Sequence, residues 1–210
     1  MHEKSKEYPT LALFDFDGTL CKIDSFTGFI FFALPKWQIM IRGIVILPWI
    51  VAYYLKLYPA HSMRPKLFKQ MFQGQNQNTI QAAAFTYAEK LVTQYLNPEL
   101  YTRLRQHQSL SHRVILVSAS VNLYLAPLCK LLNIELICTE IDDVGPKITG
   151  LYSSLDCSHQ QKKIRILKAI NIEKYEHIYA YANSDEDIEM LSLAQSHYFI
   201  GRDQKLPDLH

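Results

Sequence analysis

Residues 11–20 read Leu11-Ala12-Leu13-Phe14-Asp15-Phe16-Asp17-Gly18-Thr19-Leu20, an apolar run that ends in two aspartates and a Gly-Thr pair. A short apolar run followed by a turn is typical of a buried strand. We expect the strand to stop at Asp15, because an ionised carboxylate is costly to bury in a dry core. Two carboxylates therefore stand at the C-terminal end of a strand, where open α/β sheets bind their ligands. A hard cation such as Mg²⁺ would relieve their mutual repulsion.

Apolar strands and helical segments alternate in the second half of the chain. Strands are predicted at 114–118, 134–138, 177–181 and 198–200, with helices at 121–132, 160–170 and 185–194. This alternation predicts a mostly parallel sheet that is covered on both faces. We therefore expect an α/β fold with a Rossmann-like three-layer core formed by residues 8–21 and 97–210. Residues 22–96 interrupt the alternation and are predicted to form an inserted, all-helical cap.

Composition narrows the class of protein. The chain has 210 residues, of which 49% are hydrophobic, enough to bury a substantial core. A formal net charge of +2 gives no reason to expect nucleic acid as a partner. The four cysteines are scattered and form no Cys-x-x-Cys pair, which predicts reduced thiols in a cytoplasmic protein. The polar N-terminus resembles no secretory signal peptide.

The predicted cap contains a very apolar stretch at residues 26–58. Its longest uncharged piece lies between Arg42 and Lys56; as a helix this piece spans about 20 Å, less than the ~30 Å hydrocarbon core of a bilayer. We therefore expect a helical hairpin in the membrane interface, or a buried helical subdomain, rather than a full transmembrane span. Cations flank this stretch in the pattern expected beside anionic headgroups, namely Lys36, Arg42, Lys56, Arg64, Lys66 and Lys69.

The segment Asp15-Phe16-Asp17-Gly18-Thr19 resembles motif I of the haloacid dehalogenase superfamily, Asp-x-Asp-Gly-Thr after an apolar strand. The resemblance implies a Mg²⁺-dependent phosphatase in which Asp15 attacks phosphorus and becomes an aspartyl phosphate. Asp17 would protonate the leaving oxygen and then activate water, and its main-chain carbonyl would help to hold Mg²⁺. Thr19 would lie beside the substrate. A carboxylate nucleophile suits this chemistry, because it divides hydrolysis into two easier steps.

Two further motifs of this family have counterparts in the sequence. Ser118 ends an apolar strand, as motif II does, and its hydroxyl and the N–H of Ala119 would bind a phosphoryl oxygen; Ser120 is a neighbouring candidate. Motif III requires a lysine near a helix start. Counting from Cys157 selects Lys162, whereas alignment of the apolar residue that follows selects Lys163. Lys162 is preferred as the catalytic lysine, and Lys163 is kept as a substrate-binding candidate.

The segment Asn183-Ser184-Asp185-Glu186-Asp187 follows an apolar strand and resembles motif IV of this family, with one departure from the family pattern. Asn183 stands where the first aspartate is usual. Its side-chain oxygen can ligate Mg²⁺ but brings no charge, which puts the strength of metal binding in doubt. The implied metal ligands are therefore Asp15, Asp17, Asn183 and Asp187.

The position of the cap between motifs I and II resembles subfamily IB, the phosphoserine phosphatase-like enzymes with a C1 cap. Its apolar helices also resemble those of phosphatidylglycerophosphatase C-like proteins. The resemblance implies that Asp24 and Arg64 contact the substrate, with Arg64 placed to clamp a second phosphate or a headgroup.

The leading hypothesis is a phosphomonoesterase acting on a lipid-linked phosphate such as phosphatidylglycerophosphate. The protein would be cytoplasmic and peripheral on the inner face of the membrane, with its cap touching lipid. One alternative is a soluble, phosphoserine-like phosphatase of a phosphorylated small molecule. Another is a membrane-associated binding protein with a weakened site, which the amide at Asn183 suggests. The sequence does not set the oligomeric state.

Overall fold

A computed structural model describes residues 9–142 and 145–209. Its centre is a five-stranded, fully parallel sheet with the strand order β3-β2-β1-β4-β5. The strands are β1 (Thr10–Phe14), β2 (Arg113–Val121), β3 (Glu135–Thr139), β4 (His177–Ala182) and β5 (Ser196–Phe199). Every residue of β1 is buried, as expected for a central strand covered on both faces. The predicted α/β sheet is thus confirmed.

The register of the sheet brings three strand ends to one edge. Phe14 at the end of β1 lies opposite Leu116 of β2 and Tyr181 of β4. The residues that follow these three positions therefore emerge side by side at the C-terminal edge of the sheet. Motifs I and IV follow the ends of β1 and β4, whereas Ser118 of motif II lies inside β2, which continues to Val121 and not only to Ser118 as the sequence predicted.

Four helices follow the later strands or lead into them: α5 (Pro98–Ser109), α6 (Asn122–Leu132), α7 (Gln160–Ala169) and the short α8 (Ile188–Leu191). Asn97 caps α5, because its side chain accepts a hydrogen bond from the N–H of Glu99 while Pro98 occupies the first helical position. The predicted helix at 185–194 is shorter in the structure. A 3₁₀ turn at Asp185–Asp187 precedes α8, since Ser184 and Asp187 form a capping box there.

Four helices fill the segment between β1 and α5: α1 (Ser25–Ala33), α2 (Lys36–Tyr54), α3 (Ala60–Phe72) and α4 (Gln77–Lys90), followed by a π-helical turn at Leu91–Tyr95. Their aromatic rings pack on one another and on α6: the ring centroid of Phe29 lies 5.4 Å from that of Tyr87 in α4 and 5.1 Å from that of Tyr124 in α6. One hydrophobic cluster contains Phe14 of β1 together with Phe29 and Phe72. The insertion and the sheet therefore share a core, and the division at residues 22 and 97 stays a prediction.

Helix α2 is exposed along most of its length. Only 6% of its most apolar 18-residue window is buried, and its 19 residues give a length of about 28 Å. The helix begins at Lys36, before the uncharged piece that lies between Arg42 and Lys56. Arg42 lies inside the helix, and its side chain turns toward α3. Arg42 Nη1 donates to the carbonyls of Gln70 and Met71 at 3.1 and 2.8 Å. Among the described residues, α2 alone is long and apolar enough to cross a membrane, a criterion that core helices also meet.

Candidate active site

Asp15 lies at the C-terminal edge of the sheet, directly after the central strand β1. Its N–H donates to the carbonyl of Tyr181 at 2.9 Å, which continues the ladder between β1 and β4 by one residue. Asp15 is only 6% exposed. Its Oδ2 accepts a hydrogen bond from Thr19 Oγ1 at 2.9 Å, and its Oδ1 accepts one from Lys162 Nζ at 2.6 Å. Asp15 is therefore held in one orientation by a hydroxyl on one side and an ammonium group on the other.

The turn after Asp15 requires its glycine. Gly18 has a φ of 78°, in the left-handed region that other residues rarely adopt. A Cβ atom at this position would lie 2.1 Å from Nδ2 of Asn183. Thr19 Oγ1, which bonds Asp15, also lies 3.1 Å from Oδ1 of Asn183. The motif I turn therefore packs directly on the residue that departs from the motif IV pattern.

Lys162 and Lys163 point in different directions from the first turn of α7. Lys162 is 1% exposed and forms ion pairs with Asp15 and Asp187. The side chain of Lys163 is 37% exposed, and its Nζ donates to Ser192 Oγ at 3.1 Å. The structure places Lys162 in the site, as preferred from the sequence, and places Lys163 outside it. Lys163 is therefore not among the groups that the structure brings to Asp15.

The residue that precedes α7 has an unusual backbone conformation. His159 adopts φ 49° and ψ −128°, a region in which side chains with a Cβ atom are strained. Its N–H donates to the carbonyl of Glu186 at 2.9 Å, which joins the motif III and motif IV loops. The turn into α7 is thus formed by a histidine in a conformation that favours glycine.

Burial and ion pairing determine the charges of Asp15, Lys162 and Asp187, which lie together at the centre of the site. Burial raises the pKa of Asp15 to about 7, although the neighbouring Lys162 opposes that rise. Burial also disfavours the charged form of Lys162, but Asp15 and Asp187 outweigh this effect and raise its pKa above the ordinary range. Lys162 therefore carries a positive charge between two carboxyl groups. With this pKa the nucleophilic, ionised form of Asp15 predominates above about pH 7, and Lys162 is the neighbour that favours that form.

Asp17 turns toward β2 and α1. Its Oδ1 accepts a hydrogen bond from the N–H of Ser25, and its Oδ2 accepts one from Ser120 Oγ, both at 2.6 Å. Burial raises the pKa of Asp17 above its ordinary value, while the bonds from Ser120 and Ser25 oppose the rise. A carboxyl group with a raised pKa is suited to donate a proton near neutral pH.

Ser118 reaches the same edge from β2. It is 1% exposed, and its Oγ accepts a hydrogen bond from the N–H of Ser120 at 3.1 Å. The pairing of β2 with β3 is irregular between Ser118 and Val121, and Thr139 Oγ1 donates to the carbonyl of Ala119 at 2.7 Å. The irregular segment presents Ser118 and Ala119 beside the strand that carries Asp15.

The oxygen atoms at this edge fit a hard cation. Asp15 Oδ2 and Asn183 Oδ1 both lie within hydrogen-bond distance of the Thr19 hydroxyl, so the two oxygens are close to each other. Both oxygens of Asp187 are already bonded, one to Lys162 and the other to Ser184 Oγ at 2.9 Å. Over residues 9–142 and 145–209, no three His, Cys, Asp or Glu side chains form a metal cluster. As the resemblance implies, a Mg²⁺ site at this edge would use oxygens of Asp15, the Asp17 carbonyl, Asn183, Asp187 and water.

The two cap residues expected to contact substrate have protein partners. Asp24 caps α1: its Oδ1 accepts from the N–H of Thr27 at 3.1 Å and its Oδ2 accepts from Thr27 Oγ1 at 2.7 Å. Arg64 of α3 donates to Asp156 Oδ1 at 3.0 Å and to Glu186 Oε2 at 2.6 Å. Arg64 thus ties the insertion to the loops that carry motifs III and IV.

Three residues of this site were not predicted as contacts. Ser25 binds Asp17 through its backbone, for which side-chain chemistry gives no signal in the sequence. Asp156 and Glu186 bind Arg64. Both are acidic residues within or beside a recognised motif, but no sequence pattern pairs them with a cap arginine 92 and 122 residues away.

The fold and the site define a known class of enzyme. The family model of the haloacid dehalogenase-like hydrolases matches residues 12–192, and the chain belongs to this family. Protein CicA of Caulobacter vibrioides is 27% identical over 190 residues, which cover 89% of this chain and 83% of that protein. The expected membership of the superfamily is thereby confirmed.

Solved structures support the same fold. A protein of unknown function from Bordetella pertussis Tohama I superposes with a TM-score of 0.74 at 18% identity, covering 90% of this chain and 89% of that one. A phospho-aspartyl intermediate analogue of phosphoserine phosphatase superposes with a TM-score of 0.61 at 14% identity, covering 90% and 85%. The chain therefore has a phosphoserine phosphatase-like fold.

Proposed function

We propose that this hydrolase is a Mg²⁺-dependent phosphomonoesterase that forms an aspartyl phosphate on Asp15. The observation that carries the proposal is the fixed position of the buried Asp15 carboxyl between Thr19 and Lys162, with Asp17 two residues away. The similarity in fold to a phospho-aspartyl form of phosphoserine phosphatase supports the same chemistry. Family membership supports hydrolysis as the reaction class.

The proposed hydrolysis proceeds in two steps, formation of the aspartyl phosphate and its hydrolysis. In the first, an Asp15 carboxylate oxygen attacks phosphorus, the bond from phosphorus to the alcohol oxygen breaks, and Asp17 gives that oxygen a proton. In the second, water attacks the aspartyl phosphate, Asp17 takes a proton from the water, and the bond to Asp15 breaks to release inorganic phosphate. Oxygens of Asp15, Asp17, Asn183 and Asp187 would hold Mg²⁺, which when bound would offset the negative charge of the phosphoryl group.

The remaining residues bind and orient the phosphoryl group. Lys162 favours the ionised form of Asp15 and adds positive charge near the transferred group. The Ser118 hydroxyl and the Ala119 N–H bind one phosphoryl oxygen. In this proposal Arg64 holds the insertion against the catalytic loops, and reaches the substrate only when its ion pairs open.

A substrate panel tests the reaction directly. Phosphate release is measured for phosphatidylglycerophosphate and lysophosphatidic acid in micelles, and for phosphoserine in solution, with Mg²⁺ and after EDTA. We expect Asp15→Asn to lower turnover by at least about 10³-fold and EDTA to abolish it. Full activity of Asp15→Asn would overturn the mechanism. No turnover of any phosphate would favour the binding-protein alternative.

The insertion is the basis for proposing a lipid-linked substrate. The outer side of α2 forms an apolar face of exposed side chains, including Trp37, Ile41, Ile44, Val45 and Tyr54, with Ile44 68% exposed. Exposed apolar surfaces of this kind mark sites that contact proteins or membranes.

Charge favours a membrane as the partner of this face. Residues 25–88 contain six Lys and Arg residues and no Asp or Glu, while the whole chain has a net charge of only +2. Lys36, Lys56 and Lys69 are exposed, and Lys66 lies 3.6 Å above the ring of Trp49. An apolar helix with cations and no carboxylates suits an anionic lipid surface. We place the protein on the inner face of the membrane, with a lipid phosphate as substrate.

Vesicle sedimentation tests this part separately. We expect binding to phosphatidylglycerol vesicles, weaker binding to phosphatidylcholine vesicles, and loss of binding in Ile44→Glu/Val45→Glu. Leu131→Glu is the matched control, since Leu131 is 46% exposed on α6 and lies outside the apolar face. Equal sedimentation of the α2 variant and the wild type would contradict membrane contact. High turnover of soluble phosphoserine without vesicle binding would favour the soluble phosphatase.

A further inference from the structure

The carboxyl group of Asp17 has two partners of different chemical kinds. The N–H of Ser25 donates to Oδ1, and the hydroxyl of Ser120 donates to Oδ2, each at 2.6 Å. A backbone N–H can only donate a hydrogen bond, so Oδ1 of Asp17 must act as the acceptor in its contact with Ser25. A serine hydroxyl can donate to a carboxylate and can also accept from a neutral carboxyl group. Ser120 is therefore able to keep its contact with Asp17 when the protonation of Asp17 changes.

Ser120 is itself held in place by the irregular end of β2. Its N–H donates to Ser118 Oγ at 3.1 Å, and the preceding carbonyl of Ala119 accepts from Thr139 Oγ1 at 2.7 Å. The residue is 5% exposed. These contacts leave the Ser120 hydroxyl aimed at Asp17, whereas Ser118 occupies the position expected of the phosphoryl ligand. The two serines therefore have different partners: the Ser120 hydroxyl contacts Asp17, whereas the Ser118 hydroxyl is at the expected phosphate-binding position.

The other partner of Asp17 is equally well fixed. Ser25 is buried, its Oγ lies 2.9 Å from Tyr124 Oη, and its carbonyl accepts from Tyr87 Oη at 3.0 Å. Because Oδ1 is tied to this rigid backbone position, the orientation of the carboxyl plane depends on what holds Oδ2. Loss of the Ser120 hydroxyl would leave Asp17 free to rotate about a single contact.

We propose that Ser120 is a positioning residue that aligns the Asp17 carboxyl group for proton transfer to the leaving oxygen. This inference rests on the proposed function of Asp17 as the general acid and base. It assigns Ser120 to the acid/base step and not to phosphate binding. A general acid must lie within hydrogen-bond reach of the leaving oxygen, so a rotation of its carboxyl group weakens catalysis without weakening phosphate binding.

Leaving-group dependence distinguishes these roles. An alkyl oxygen needs a proton as it leaves, whereas a 4-nitrophenoxide oxygen leaves without one. The value of kcat/KM reports the steps up to the first phosphoryl transfer. We therefore compare kcat/KM for an alkyl phosphate and for 4-nitrophenyl phosphate in the wild type, Ser120→Ala, Ser120→Thr, Ser118→Ala and Asp17→Asn, with thermal unfolding as a check of folding.

We expect Ser120→Ala to lower kcat/KM for the alkyl ester by about tenfold or more, part of the ~10²–10⁴-fold that a general acid contributes. The loss for the aryl ester should be several times smaller, and Ser120→Thr should restore the alkyl activity. Ser118→Ala should affect both esters equally, as a phosphate ligand does. Equal losses for both esters in Ser120→Ala, or no loss, would overturn the inference. A wild-type chain without turnover would instead overturn the proposed function, and this inference with it.

Discussion

Lys162 and Lys163 are neighbours in the chain, yet only Lys162 reaches the nucleophilic carboxylate. The motif alignment left both open, because counting from Cys157 and aligning the following apolar residue give different answers. Helical periodicity separates them in the structure. Lys162 shares the buried face of α7 with Ile166, four residues later, whereas Lys163 faces Ser192. To choose between Lys162 and Lys163 one must know which of them lies on the buried face of α7. That depends on the residue at which the helix begins, which the sequence alone did not define.

This difference predicts opposite outcomes for two adjacent substitutions. Lys162→Ala should lower kcat by at least about 10²-fold, because the charge next to Asp15 and the transferred phosphoryl group is lost. Lys163→Ala should leave kcat within about twofold, since an exposed contact contributes little. Phosphate release by the two purified variants checks this. Equal activities of the two variants would show that Lys162 is not the motif III lysine.

At the scale of elements, the contact between α3 and the catalytic loops was the least predictable feature. The resemblance implied that Arg64 binds substrate, but its partners are distant in sequence and were not visible in the pattern. In the structure Arg64 donates to Asp156 and Glu186. The Arg64 side chain is 24% exposed, so these ion pairs are less screened than those of surface residues.

A double-mutant cycle measures this contact. Arg64→Ala and Glu186→Gln should each destabilise the protein, and the double variant should be less destabilised than the sum of the two by about 0.5–3 kcal/mol. Chemical denaturation gives the free energies of unfolding. Strict additivity would mean that the pair is not formed in solution, and would return Arg64 to the role of a free substrate ligand.

The packing of α5 on β4 contains a buried titratable pair. His107 Nε2 lies 2.8 Å from Tyr181 Oη, and its Nδ1 lies 2.8 Å from His112 Nδ1. Burial lowers the pKa of His107 from 6.5 to about 3, and the nearby His112 and Arg103 add to the effect. His107 is therefore neutral in the folded protein at every pH at which the enzyme is expected to work.

This shift makes stability depend on pH. Above pH 6.5 neither the folded nor the unfolded form binds a proton at His107, so there is no dependence. Below pH 6.5 the unfolded chain gains a proton that the folded form excludes, and stability falls by up to about 1.4 kcal/mol per unit as pH approaches 3. We expect His107→Gln to flatten the curve of unfolding free energy between pH 6.5 and 4.5. An unchanged slope would contradict the neutral, buried state.

At the scale of the whole molecule, the sheet was predictable and the packing of the insertion was not. The apolar runs that end in Asp15, Ser118 and Asn183 identify three parallel strands, and parallel strands must bring their carboxyl ends to one edge. The insertion shares one hydrophobic cluster with that sheet, through rings such as Phe14 and Phe29. No local pattern shows such packing, because it joins residues far apart in the sequence.

The proposed mechanism requires that Asp15, the buried carboxylate at the end of the central strand, becomes phosphorylated during turnover. The direct measurement is to quench the enzyme in acid during turnover, reduce it with borohydride and identify the modified peptide by mass spectrometry. Reduction converts an aspartyl phosphate to homoserine, so we expect homoserine at position 15 in the wild type and none in Asp15→Asn. Continued phosphate release with position 15 unmodified, or with the modification at another residue, would contradict it.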